Sequence, residues 1–193
     1  MKKYPSTDKL LIVAHADDEL IWAGEILLKE KKQWDILCLV TPDHQSLFRI
    51  PIFLNKVSVY LQANTEMLNF KDTGFHSLIE GDILTPILKK IQSKKWNKIL
   101  THGSNGEYGH KHHIQVHNAV LNATKLTNNL NKLWIFDPIK HNEDLELTKE
   151  KALLFKNTYD DETDLPPLYP KQWIHGWNTT QRWEERIRKY NNE

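Results

Sequence analysis

Four short apolar runs restrict this chain to a narrow set of folds: Leu10 to Ala14, Asp35 to Val40, Ile99 to Thr101 and Leu133 to Phe136. Between them lie stretches with helical spacing, over Glu19 to Lys32, Leu47 to Leu61, Asp82 to Lys94 and His110 to Asn128. Pro51 marks a start or a break in the second of these. In the third, Ile83, Leu84, Ile87, Leu88 and Ile91 fall on one face. Strand, helix and strand in alternation spell βαβ units, whose strands run parallel and whose helices cover both faces. Right-handed crossovers then give a doubly wound, Rossmann-like α/β fold with a mostly parallel sheet. The 193 residues suit a single domain over 1–193. Its core spans about 8–136 and a tail or lid spans 137–193, with a terminal helix expected over Thr179 to Tyr190.

Composition narrows the partners. A formal net charge of +1 provides no broad field for nucleic acid or an anionic membrane. The basic patches Lys29 to Lys32 and Lys89 to Lys95 lie near expected helix ends, where cations favour the dipole. The single cysteine, Cys38, lies within an apolar run and reads as a buried, inert thiol. The apolar run after the N-terminus is too short for a signal-peptide core or a membrane span, so a cytoplasmic protein without integral membrane association is expected. The sequence leaves a homo-oligomer open.

Two segments carry chemistry, and each follows an expected strand, where open α/β sheets bind ligands. The first is Ala14-His15-Ala16-Asp17-Asp18-Glu19. Helix capping would account for its acids but not for His15. The second runs from Thr101 to His117 and contains Gly103, Gly106 and Gly109 followed by His110, His112, His113 and His117. On a helix His110, His113 and His117 share a face, while His112 points elsewhere and reads as a solvated surface residue. Imidazole and carboxylate together suit zinc or another divalent cation, with an open position for water. One aspartate of the adjacent pair can bind the metal, leaving the other as a general base for the attacking water.

Elsewhere, Trp173, His175, Trp177 and Trp183 read as packing residues, and Asp160, Asp161, Glu162 and Asp164 as an exposed acidic turn. Asp43 and His44 follow the second strand, at the edge where they could line a pocket.

With these residues in view, the chain resembles the PIG-L/LmbE-like deacetylases, zinc-dependent hydrolases of N-acetylglucosamine-type amides. Their Ala-His-Pro-Asp-Asp-Glu motif is matched by Ala14 to Glu19, a glycine in the following helix by Gly24, and their His-x-x-His element by His110 to His113 after a glycine-containing loop. The likeness covers about 8–136. It implies a zinc ion held by His15, Asp18 and His113, with Asp17 as general base and His110 stabilising the oxyanion or donating a proton. Arg49 is similar in position to a substrate-site arginine of the family. Two features depart from the pattern: Ala16 replaces a proline, and the tail is short. The resemblance implies a small-molecule N-acetylglucosamine conjugate as substrate. Other metal-dependent amide or ester hydrolysis on the same fold is the nearest alternative. A non-catalytic metal- or nucleotide-binding module is the other, but no Gly-x-Gly-x-x-Gly follows the first strand and acids stand where phosphates need donors.

Overall fold

The computed structural model describes residues 4–43, 47–72, 78–137, 139–140, 150–151, 153–154, 157–159, 183–184 and 187–190. A six-stranded sheet has the order β3-β2-β1-β4-β5-β8. Its strands are β1 (Lys9–Val13), β2 (Trp34–Thr41), β3 (Asn64–Lys71), β4 (Lys98–Thr101), β5 (Leu133–Phe136) and β8 (Ile187–Lys189). The first five run parallel, and β8 pairs antiparallel with β5. A separate ladder joins β6 (Ile139–Lys140) to β7 (Trp183–Glu184).

Period-two alternation in β1 builds the core. Leu11 and Val13 enter one buried cluster with Leu20, Ala23 and Leu27 of α1 (Asp18–Lys29). Leu10 and Ile12 enter the other, with Ile83, Ile87 and Ile91 of α4 (Glu80–Gln92) and Val116, Ala119, Val120 and Ala123 of α6 (Lys111–Leu126). Both faces of the central strands are therefore covered, which is why these strands read as unbroken apolar runs. The strand order reverses on either side of β1, so the crevice between the carboxyl ends of β1 and β4 is the topological switch point where this architecture places ligands.

The doubly wound α/β expectation holds, but two elements differ. Strand β3 was not expected, because Asn64, Glu66, Asn69 and Lys71 interrupt its apolar pattern. Among the described residues it pairs only with β2, at the sheet edge, where polar side chains are tolerated and guard against edge pairing. Within the expected terminal helix over Thr179 to Tyr190 no described residue is helical, and β7 and β8 are strands. The open edge of β5 takes up Ile187 to Lys189, so tertiary pairing overrides local propensity. The expected helix over Leu47 to Leu61 is present as a helical run: α2 (Arg49–Pro51), a π-helical segment (Ile52–Val57) and α3 (Ser58–Leu61). Pro51 sits in its first turn, where a missing N–H does little harm. His44, Asp160 to Asp164, Trp173, His175 and Trp177 lie outside the described residues. No helix among the described residues is long and apolar enough to cross a membrane.

The loop after β4 is tightly packed. A Cβ at Gly103 would stand 2.6 Å from the carbonyl oxygen of Phe136, a backbone atom that cannot swing away. Gly103→Ala is therefore expected to destabilise the fold by about 1–3 kcal/mol, as overpacking does. The denaturation midpoint measures this, and an unshifted midpoint would show that the loop yields freely.

Candidate metal centre

The turn after β1 places the first set of residues. Asp17 occupies the N-cap of α1 with φ at 130°, a strained conformation for a non-glycine residue, and its side chain makes no cap hydrogen bond. The capping explanation for this acid therefore fails. Its backbone N–H donates instead to Glu19 Oε2 at 2.9 Å, and Tyr159 OH donates to Glu19 Oε1 at 2.7 Å. Burial pushes Glu19 up to about 8 despite these bonds, so it tends to hold its proton at neutral pH. The Asp17 carboxylate pairs with Arg49, Oδ2 to Nη1 at 3.1 Å. Asp18 turns the other way, and its Oδ2 accepts from the His15 backbone N–H at 2.8 Å.

The loop after β4 supplies the second set. Here α5 (Gly106–Gly109) is a single distorted turn, with Gly106 at φ 64° and Glu107 at φ 60°. That conformation drives the Glu107 carboxylate inward. Its Oε2 accepts from Nδ1 of His102 at 2.8 Å and from Nδ1 of His113 at 2.5 Å, and its Oε1 accepts from the Gly103 N–H at 2.7 Å. Burial would raise Glu107, but the electrostatic attraction of His102 and the hydrogen bonds from both rings hold it down at about 2. His102 Nε2 accepts from the Ala14 N–H at 3.0 Å, which ties the two loops together and fixes the His102 proton on Nδ1.

Three side chains converge in the crevice. The ligand-type atoms of His15, Asp18 and His113 all lie within 4.8 Å of one another. His15 Nδ1 stands 3.3 Å from Asp18 Oδ2, and His113 Nε2 stands 3.4 Å from Asp18 Oδ1. His113 points its Nδ1 proton at Glu107 and turns Nε2 into the site, where that buried atom has no hydrogen-bond partner among the described residues and would give up its proton to bind a cation. Burial opposes charge on His113, yet the Asp18 carboxylate and the bond to Glu107 lift it to about 10. Burial likewise opposes ionisation of Asp18, but the charge of His113 draws it well below the usual carboxylate range. The field here thus favours positive charge. An orphaned imidazole nitrogen beside an ionised carboxylate and a second imidazole is a donor set that fits a divalent cation.

His110 lies at the rim, its ring 4.6 Å from that of His113 and 4.8 Å from that of His15. Its burial, together with the charges of His113 and His15, pushes it down to about 4. An imidazolium at this position is disfavoured, and a cation in the crevice would push in the same direction. Tyr108, exposed at the mouth, stacks on Trp22 with centroids 6.2 Å apart and faces both His110 and His113 at 5.6 Å.

Several of these features were not foreseen. His112 is completely buried rather than solvated, with Nδ1 3.0 Å from His15 Nε2. His117 does not join the crevice; its Nδ1 donates to the His102 carbonyl at 2.8 Å. Glu107 and His102 had no assigned role. The one signal for Glu107 was an acid set among glycines beside histidines, and its left-handed backbone is what turns that acid inward. Cys38 is buried on β2 and its thiol is raised well above its ordinary value, first by burial and then by the charges of Glu19 and Asp18.

No family model matches the sequence. It is 31% identical over 121 residues to an uncharacterized protein of Acanthamoeba polyphaga mimivirus, covering 55% of this chain and 53% of that protein. The match thus takes in about half the length of the curated relative. Solved structures resemble the fold more broadly. The N,N'-diacetylchitobiose deacetylase of Pyrococcus horikoshii has a TM-score of 0.65 at 13% identity, over 96% of this chain and 85% of that one. A triple-mutant deacetylase of the teicoplanin biosynthetic pathway has a TM-score of 0.64 at 15% identity, over 80% and 83%. The 4-carboxy-2-hydroxymuconate hydratase of Pseudomonas putida has a TM-score of 0.59 at 14% identity, over 81% and 80%. At these identities the likeness establishes the fold, and one fold evidently carries more than one reaction.

Proposed function

We propose that this protein is a zinc-dependent hydrolase that removes the acetyl group from an N-acetylglucosamine-type sugar conjugate. The observation that carries the reading is the convergence of His15, Asp18 and the orphaned Nε2 of His113 at the switch point, with a second acid, Asp17, next in sequence and paired with Arg49. The sugar amide comes from the sequence resemblance and from the deacetylases among the structural relatives.

In this reading His15, Asp18 and His113 hold the cation. When bound, a divalent ion supplies Lewis acidity, polarising the carbonyl and lowering the pKa of water toward about 7. Asp17 accepts the proton of the attacking water as its oxygen bonds to the carbonyl carbon. His110, neutral at its lowered pKa, donates an N–H to the developing oxyanion rather than acting as an imidazolium. The C–N bond then breaks, and the proton held by Asp17 passes to the departing amine nitrogen, giving acetate and the free amino sugar. Arg49 orients the Asp17 carboxylate through their ion pair, and the sequence resemblance gives it a place at the substrate.

Glu107 keeps the His113 lone pair aimed into the crevice. Glu107→Gln is expected to weaken metal affinity about 10–100-fold, the usual effect of losing such a supporting carboxylate. Competition with a chelator measures it, and unchanged affinity would remove Glu107 from this role.

The test of the reaction is a panel of N-acetylglucosamine derivatives incubated with zinc-loaded protein, with free amine and acetate followed together. Equal release of both, abolished by chelator and restored by zinc, is expected. Cleavage of simple acetate esters with no amide turnover would replace the deacetylase reading with an esterase.

A further inference from the structure

The proposed centre has two imidazole ligands, and their outward nitrogens meet different partners. That of His113 meets a carboxylate, Glu107. That of His15 meets another imidazole: Nε2 stands 3.0 Å from His112 Nδ1, with ring centroids 5.2 Å apart and tilted by 36°. His112 is wholly buried on α6, and the sequence resemblance gives it no role.

We propose that His112 is a positioning residue that fixes the tautomer and ring orientation of His15, so that His15 Nδ1 faces the metal as a lone pair. This rests on the metal-centre reading above. The proton assignment follows from the contacts. His15 Nδ1 is the nitrogen that faces Asp18, at 3.3 Å, so it is the one available as a ligand and must be unprotonated. The proton of neutral His15 then sits on Nε2. At 3.0 Å that N–H needs an acceptor, and His112 Nδ1 provides it only when the His112 proton is on Nε2. Each ring thus dictates the tautomer of the other.

The experiment compares wild type, His112→Leu and His112→Asn by zinc competition against a chelator. Circular dichroism is recorded on all three, and histidine ¹⁵N NMR on the zinc-loaded wild type. His112→Leu removes the acceptor and is expected to weaken zinc affinity about 10–100-fold. His112→Asn keeps a carbonyl acceptor and is expected to recover most of that loss. The spectra should show His15 protonated on Nε2 and not on Nδ1. A His112→Leu protein with native circular dichroism and wild-type affinity overturns the proposal, as does a His15 proton on Nδ1 in the zinc-loaded protein. If His112→Leu does not fold, the tautomer in wild type and the affinity of His112→Asn decide. Wild type that binds no zinc at all would instead overturn the metal reading, and this inference with it.

Discussion

Asp17→Asn is expected to keep the metal while kcat falls about 10²–10⁴-fold, the range for a lost general base. Asp17 is set apart from Asp18 by backbone geometry. Its φ of 130° and the hydrogen bond from its N–H to Glu19 turn its carboxylate toward Arg49, whereas Asp18 faces His15 and His113. Asparagine preserves the shape and one acceptor oxygen but has negligible affinity for a proton at neutral pH. The measurement pairs metal content with steady-state rate. Metal lost from Asp17→Asn and retained in Asp18→Asn would exchange the roles of the two acids.

His113→Ala is expected to abolish stoichiometric binding, from about one metal per chain in wild type to a small fraction. The substitution removes the inward lone pair and strips the buried Glu107 carboxylate of one of its donors. The second loss should itself destabilise the protein by about 1–3 kcal/mol. Zinc should raise the melting temperature of wild type, since ligand at 100 times its Kd adds about 2.7 kcal/mol. It should leave that of His113→Ala unmoved. His117→Ala is the control, because His117 is engaged with the His102 carbonyl outside the crevice and its loss should leave metal content intact. Full occupancy in His113→Ala would overturn the ligand assignment.

Much of this site could be read in the sequence because its parts lie at strand ends. A histidine and two acids after one apolar run, and a histidine helix after another, point to a single crevice once the sheet is parallel. What stayed hidden were the partners behind the proposed ligands. Helical spacing alone turns His112 away from His113, yet the approach of the β1 turn buries it against His15. The inward carboxylate of Glu107 depends on a left-handed backbone that no side-chain pattern announces. Strand β3 was hidden because an edge strand does not require an apolar face, and β8 because its strand character comes from the neighbour it pairs with.

That late neighbour has a consequence for how the chain is made. Phe136 ends β5 and Ile187 begins β8, so 50 residues (137–186) separate the edge from its cover. At about 5–20 residues per second, the ribosome leaves β5 without its antiparallel partner for roughly 3–10 s. During that interval Leu133, Trp134, Ile135 and Phe136 present an apolar row of unpaired amides, the kind of template on which nascent chains stick to one another. The yield of native protein should therefore depend on the pace of translation through 137–187 and on the chaperones that meet the chain there.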